Sequence, residues 1–200
     1  MKRKIAKGHK GLNIRHLKDK HKGETIFVLG SGTQMDMYRP DFFKDRISIG
    51  CNFVYHFFPV LYTVTRHKKV LEHETKPKNL ISPEITIDFF GFNMPQGDYV
   101  WRNEIFESGS TIMTAVDVAR YMGAQRIYVI GAEMYGRHMN GYNEFVSPQD
   151  KGVSGEISTP YLKGTKWMFE RFKKETEDKY KIEIYRNEMI IEDIIKEPKI

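Results

Sequence analysis

The sequence predicts a single three-layer α/β domain built on a mainly parallel sheet. Apolar and β-branched runs without alternation, such as residues 25–29 and 126–131, are typical of strands that are buried on both faces. The second run follows a predicted helix after a short loop, which is the order of a right-handed βαβ unit. Strands and helices that alternate in this way favour layered α/β architecture.

The remaining elements follow from the same patterns. A helix with an apolar stripe from Ile112 to Met122 begins at Ser110 or Thr111 and stops at Gly123. Further strands are predicted at residues 46–52, 60–65, 79–82, 85–90 and 181–185. Further helices are predicted at residues 161–179, with short ones near 41–43, 66–74 and 189–195.

Composition indicates one soluble domain. The chain has 200 residues, of which 40% are hydrophobic and 29% are charged, as in ordinary globular proteins. Its single cysteine, Cys51, excludes an intrachain disulfide and favours a reducing compartment. We find no apolar run long enough for a transmembrane segment and no signal-peptide core, so a cytoplasmic location is expected, with homo-oligomerisation left open.

Positive charge is concentrated at the start of the chain. Residues 1–23 carry nine Lys/Arg, from Lys2 to Lys22, against one acid, Asp19. We therefore divide the chain into a basic arm, 1–23, and an α/β domain, 24–200. The arm is either a solvated terminus or a surface for nucleic acid or an anionic membrane.

A glycine turn follows the first predicted strand. Gly30, Ser31, Gly32 and Thr33 lie where the carboxyl end of a parallel strand would meet a nucleotide phosphate or sugar. A dinucleotide fingerprint is excluded because Met35 replaces its third glycine, and no Gly-Lys-Ser/Thr follows to make a P-loop. A tight turn without a ligand remains the alternative.

Other strand ends are expected at the same edge of the sheet. They carry Asn52 after the second strand and Glu133 and Tyr135 after the strand that ends at Gly131. The start of the Thr111 helix, with its free N–H groups, would add Ser108, Gly109 and Ser110 and could hold a phosphate without a metal. A plain helix cap and a strand-end turn are the alternatives for the serines and for Asn52.

The order of these blocks resembles a group of Rossmann-like transferases. The group includes the bacterial sialyltransferases of glycosyltransferase family 42, the motility-accessory flagellin glycosyltransferases and the archaeal 6-hydroxymethylpterin diphosphokinases. The similar blocks are residues 17–33, 50–52, 108–109, 126–135 and 180–185. The resemblance implies a single Rossmann-like domain, a GT-A-like variant with a mainly parallel sheet.

The resemblance also implies roles for individual residues. The nucleotide sugar would be held by Gly30, Ser31, Gly32, Asn52, Ser108, Gly109 and Ser110. Thr33 and Glu133 are expected to bind it as well, because they belong to the same strand ends. Tyr135 and Tyr142 would stabilise the departing phosphate, with core or surface packing as their alternative role. The sialyltransferase histidine before the last helix is missing, since residues 154–166 contain none. His138 is the candidate general base; Glu144, Asp150, Tyr161 and the more distant His67 are substitutes.

Three functions follow as hypotheses. The first is a metal-independent glycosyltransferase that uses a nucleotide-activated sugar, such as a CMP-linked one, needs no cofactor and transfers by direct displacement to a hydroxyl-bearing acceptor. The second is a pterin diphosphokinase-like transferase that requires Mg²⁺, with Glu133, Glu144 and Asp150 available to hold it. The third is a non-catalytic module that binds nucleotide, or nucleic acid through the arm from Lys2 to Lys22.

Overall fold

A computed structural model of the chain describes residues 14–65, 69–70, 73–75, 77, 79–81, 110–133, 138–145 and 159–186. Within these residues, six strands form one sheet in which every neighbouring pair is parallel. In chain order the strands are β1 (Thr25–Leu29), β2 (Ser48–Cys51), β3 (Tyr62–Val64), β4 (Leu80–Ile81), β5 (Arg126–Ile130) and β6 (Glu183–Arg186).

The sheet is doubly wound around β1. Its spatial order is β4-β3-β2-β1-β5-β6, so the chain builds outward from β1 in one direction and then continues on the other side of β1 with β5. The carboxyl ends of β1 and β5 therefore flank the point where strand order reverses. In open α/β sheets, this is where ligands bind.

Two α-helices cover one face of the sheet. Helix α1 (Thr111–Tyr121) is buried over almost its whole surface, and it packs on Ile26, Val28 and Ile127. Helix α2 (Thr159–Tyr180) adds Phe169 and Phe172 to the same core. Glu177 fixes α2 to the sheet edge, because its carboxylate accepts the Ile184 backbone N–H at 2.8 Å.

Short 3₁₀ turns cover the other face. They span Thr33–Met37, Pro40–Phe43 and Asn52–His56, and they bury Met35, Phe43 and Val54 against Phe27 and Leu29. The β1–β2 connection, residues 30–47, and the β2–β3 connection, residues 52–61, contain these turns and no α-helix. In the described part of the chain, turns rich in aromatic residues make up most of this layer, and the helical residues Lys69 and Val70 add to it, with Val70 buried in the same cluster.

The α/β class predicted from the sequence is confirmed: the described residues form one parallel sheet with helices, consistent with a Rossmann-like three-layer domain. Helix α1 ends next to Gly123, whose φ of +87° fits the predicted stop. The segments predicted as a strand at 85–90 and as a terminal helix at 189–195 lie outside the described residues.

Part of the basic arm is packed against the domain. A 3₁₀ turn at Ile14–Leu17 buries Leu17 to 1% exposure. The backbone N–H groups of Asp19, His21 and Gly23 then donate to the carbonyls of residues 121, 122 and 123 at the end of α1. The packed chain therefore includes at least residues 14–23 of the segment that the sequence predicted as an arm.

Candidate functional site

The candidate site lies at the carboxyl edge of the sheet, between the ends of β1 and β5. The Gly30 N–H donates to the Ile130 carbonyl at 2.7 Å, and the Gly32 N–H donates to the Gly131 carbonyl at 2.9 Å. These bonds extend the ladder beyond both strands. The two strand ends therefore run side by side through the switch point.

The strand-end glycines are required by the chain itself. A Cβ on Gly30 would lie 2.2 Å from the Gly131 carbonyl oxygen, and one on Gly32 would lie 2.8 Å from the same backbone oxygen. Gly131 has φ +69°, a conformation that side chains rarely adopt. Close approach of the two strand ends thus explains these glycines without any ligand.

The Glu133 side chain contacts the turn that follows β1. Its carboxylate accepts the Gln34 backbone N–H, and Thr33 Oγ1 lies 3.4 Å from Oε1. In return, Gln34 Oε1 accepts the Gly131 N–H at 3.1 Å. The predicted ligand residues Thr33 and Glu133 therefore contact each other and tie the β1 and β5 ends together.

Ser31 and His138 form the polar pair of the site. Ser31 Oγ lies 2.9 Å from His138 Nδ1, and Gly32 and His138 form an antiparallel β-bridge. The Met139 N–H donates to the Ser31 carbonyl at 2.8 Å, which fixes the loop in register. The structure thus brings a serine from the β1 end within hydrogen-bond distance of a histidine 107 residues later in the chain.

Burial controls the charge of His138. Desolvation lowers the pKa of His138, opposed by a hydrogen bond to the Ser31 backbone and by the charge of Glu133. A backbone carbonyl only accepts, so this contact favours the tautomer whose N–H faces Ser31. The neutral ring then has its other nitrogen available to accept a proton.

Tyr142 lies beneath this pair. Its side chain is 5% exposed, and its ring centroid is 5.0 Å from that of His138. Burial raises the pKa of Tyr142 to about 12, while hydrogen bonds from the Phe53 backbone and the Ser31 side chain oppose the rise. Tyr142 is therefore a protonated, internal group, and its placement matches the packing alternative more closely than direct contact with a phosphate.

An aromatic cluster anchors the loop that carries His138 and Tyr142. Phe145 stacks on Phe53 at 4.9 Å and on His56 at 4.6 Å between ring centroids. His73 completes the cluster, 4.9 Å from His56. Because these rings come from three separate segments, they fix the loop of residues 138–145 against the turn that follows β2.

Asn52 occupies a strained turn directly after β2. Its φ is +55°, and its Oδ1 accepts a hydrogen bond from the Thr65 hydroxyl at 3.0 Å. Asparagine tolerates this left-handed conformation better than most residues do. The strand-end turn, which was the alternative to ligand contact in the sequence analysis, therefore explains Asn52. The hydrogen bond from Thr65 also joins the end of β2 to the end of β3.

The start of α1 faces the same edge. Ser110 occupies the N-cap position, but its side chain makes no capping hydrogen bond, and its carbonyl instead accepts the Thr114 hydroxyl at 3.2 Å. Ile112 Cδ1 would lie 3.3 Å from a Cβ on Gly30, and Cys51 Sγ lies 4.0 Å from the Thr111 carbonyl. The amino end of α1 therefore abuts the ends of β1 and β2.

Comparisons with known proteins identify no relative. No family model, curated protein or solved structure matches this chain. The resemblance to the glycosyltransferase group accordingly stays a prediction.

The described residues hold no group of three or more His, Cys, Asp or Glu side chains placed to bind a metal ion. Among the same residues, no helix combines the length and apolarity that a membrane span needs.

The predicted site residues divide into three sets. Those that the structure brings to one edge are Gly30, Ser31, Gly32, Thr33, Asn52, Ser110, Glu133, His138 and Tyr142. Ser108, Gly109 and Tyr135, with the substitute bases His67 and Asp150, lie outside the described residues, as does the Tyr161 side chain. Glu144 is exposed in the 3₁₀ turn Tyr142–Glu144, with no contact to Ser31 or His138 among the interactions described.

Sequence reasoning missed the residues that support the site. Thr65 could have been found, because it directly follows β3 and parallel strand ends share one edge. Phe53 and Phe145 gave no such signal, since they lie 92 residues apart in segments without hydrophobic periodicity, as their numbers in the sequence show. Only tertiary packing brings these two rings together.

Proposed function

We propose that the chain is a transferase that binds a nucleotide-activated sugar at the carboxyl edge, next to the β1–β5 switch point. The observation that carries the proposal is the Ser31–His138 pair, 2.9 Å apart at that point. A neutral histidine held by one nitrogen is the arrangement that general-base catalysis requires. The position agrees with where open α/β sheets bind nucleotides.

In the proposed reaction, the acceptor hydroxyl attacks the anomeric carbon of the bound sugar. The bond between that carbon and the phosphate oxygen breaks, the nucleotide leaves with the bonding electrons, and the hydroxyl proton passes to His138. Configuration at the anomeric carbon inverts. Because desolvation lowers its pKa, His138 is uncharged near neutral pH and free to take this proton.

The leaving phosphate needs positive potential, and the amino end of α1 is the best-placed source. Helix α1 is 11 residues long, and its first turn abuts the β1 and β2 ends. The free N–H groups and dipole of such an end stabilise an anion without a metal. We place the phosphate there, because the strand-end glycines and Glu133 are engaged with each other.

Calorimetry tests the binding step. CMP-, UDP- and GDP-sugars are titrated into the wild-type protein with and without Mg²⁺, and turnover is followed with the donor that binds. The proposal predicts binding of one donor class without Mg²⁺. Replacing His138 with glutamine should lower turnover about 10²–10⁴-fold, the usual contribution of a general base, while donor affinity changes little.

The matched control is His16→Gln, which removes an exposed histidine from the opposite edge of the sheet. It should leave binding and turnover at the wild-type level. Failure of all sugar nucleotides to bind, or full turnover in the His138→Gln variant, would refute the proposal. Binding and turnover that depend on Mg²⁺ and ATP would favour the diphosphokinase-like alternative instead.

A further inference from the structure

We propose that the amino edge of the sheet is a nucleic-acid-binding surface, separate from the candidate site. Its centre is the basic rim, defined here as the exposed cations Arg15, Lys18, Lys20 and Lys22. Five more Lys/Arg precede the rim within residues 1–13 of the sequence. The partner that such a surface fits is the phosphate backbone of RNA or DNA.

The rim is presented on fixed backbone. Leu17 anchors it in the core at 1% exposure, and backbone hydrogen bonds hold residues 19, 21 and 23 to the end of α1. Lys20 Nζ lies 5.5 Å from the centre of the Tyr62 ring, whose hydroxyl is 3.0 Å from His21 Nε2. Because this segment is already ordered, binding a phosphate there does not carry the full entropic cost of ordering a flexible tail.

The basic run is larger than the helix dipoles at this edge require. Basic side chains at this edge also stabilise the carboxyl ends of α1 and α2, but each helix end carries only about half a negative charge. Residues 1–23 hold nine Lys/Arg against one acid. Two helix ends therefore offset about one charge, so the helix dipoles alone do not account for a basic run of this size.

Aromatic groups extend the surface beyond the rim. Tyr180, at the end of α2, is 41% exposed, and its ring lies 4.2 Å from the Arg120 guanidinium carbon and 5.0 Å from Lys179 Nζ. Arg120 directly precedes Tyr121, whose carbonyl accepts the Asp19 N–H. The Arg120 side chain is only 11% exposed and is ion-paired with Asp117. The exposed groups here are therefore Lys179 and the Tyr180 ring, a pair that suits a sugar-phosphate strand with stackable bases.

A membrane surface fits this edge less well. An interfacial segment inserts an apolar face into lipid, whereas the apolar anchor of the rim, Leu17, is buried in the protein core. Among the described residues, the exposed large hydrophobic side chains are Met37, Leu61 and Tyr180, and none of them belongs to the rim segment, residues 15–22. Phosphate contacts therefore account for the rim better than lipid insertion does.

The two surfaces lie at opposite ends of β1. The rim precedes Thr25, and Ser31 follows Leu29, so the five residues of the strand separate them by about 16 Å. A polymer on the amino edge leaves the carboxyl edge open. The inference is thus independent of the transferase proposal.

Fluorescence anisotropy with the full chain and labelled 20-nucleotide RNA, single-stranded DNA and duplex DNA tests the inference over a range of salt concentrations. The triple variant Lys18→Glu, Lys20→Glu and Lys22→Glu is compared with Arg39→Glu, Lys44→Glu and Lys174→Glu. The control changes the net charge equally at exposed sites outside the rim. A Lys→Gln version of the rim variant guards against misfolding caused by the new acids.

Loss of three phosphate contacts should reduce the salt slope by about 2 and weaken binding about 10²-fold at 0.1 M salt. The control should retain the wild-type slope and affinity. Equal losses in both triple variants, wild-type binding without salt dependence, or binding to phosphatidylserine vesicles but to no oligonucleotide would overturn the inference.

Discussion

Replacing Gly30 with alanine tests whether strand packing, rather than a ligand, requires the glycine turn. The new Cβ would lie 2.2 Å from the Gly131 carbonyl oxygen and 2.9 Å from its carbon, distances that real Cβ atoms do not reach. Both are backbone atoms, so no side-chain rotation relieves the contact. The ends of β1 and β5 would have to separate.

The cost can be worked from the contacts that this separation breaks. Overpacking of a tight interior costs about 1–3 kcal/mol. The bonds from the Gly30 and Gly32 N–H groups, at 2.7 and 2.9 Å, would be lost or stretched, at about 1 kcal/mol each. We therefore expect Gly30→Ala to lower the free energy of unfolding by about 4 kcal/mol, a large part of what small domains possess.

Gly50→Ala is the matched control in the neighbouring strand. Its Cβ would lie 3.1 and 3.2 Å from the two methyl groups of Val60, which can shift by a few tenths of an ångström. The expected cost is below about 1 kcal/mol, because added apolar contact and a less flexible unfolded chain offset the crowding. Urea unfolding followed by circular dichroism measures both. A Gly30→Ala protein as stable as Gly50→Ala would refute the reasoning, and loss of nucleotide binding in it would restore the ligand explanation.

Three further outcomes are expected. Burial is the main cause that lowers the folded-state pKa values of His138 and His56 from an ordinary value of 6.5. The unfolded chain therefore binds more protons than the folded protein as the pH falls below that value, and the melting temperature should fall from pH 7 to pH 5. A rise in the melting temperature over this range would contradict the prediction. Tyr142→Phe should cost about 1–3 kcal/mol in unfolding experiments, since it removes the buried phenol oxygen beside the Phe53 backbone, but donor affinity measured by calorimetry should hold, because the side chain is internal. Asn52→Ala should destabilise the fold by about 1–2 kcal/mol, whereas Asn52→Gly, which accepts a φ of +55°, should cost less; loss of donor binding in a stable Asn52→Gly protein would reveal a ligand contact.

The sequence contained most of the sheet. Strands β1 and β5 are buried on both faces, so their unbroken apolar runs marked them to within a residue. Helix α1 was equally clear, since its capping position and the glycine after it bracket an apolar stripe. These signals lie within short stretches of sequence, and they are strong because both strands and the helix are buried in this fold.

The sequence did not show which partner each of these residues contacts. The sequence of the Gly30 turn is the same whether a phosphate or another backbone segment approaches it. Only the structure distinguishes the two, because it places the Gly131 carbonyl oxygen 2.2 Å from where a Cβ on Gly30 would lie. The same holds for Asn52 and Tyr142, whose partners come from distant segments. His138 was predicted from the sequence because an imidazole can act as a general base. Its contact with Ser31, however, depends on a loop that Phe145 anchors, and the sequence around Phe145 has no periodicity that would indicate this anchoring.

The lone thiol of Cys51 provides a built-in reporter of motion at this edge. It is buried at the end of β2 beside the first residue of α1, and burial raises its pKa, so it is both shielded and unreactive in the closed protein. An alkylating reagent reaches it when this part of the core opens, so the rate of modification measures how often the core opens there. A ligand that bridges the two elements would slow the alkylation in proportion to its occupancy, giving a binding assay that requires no engineered label.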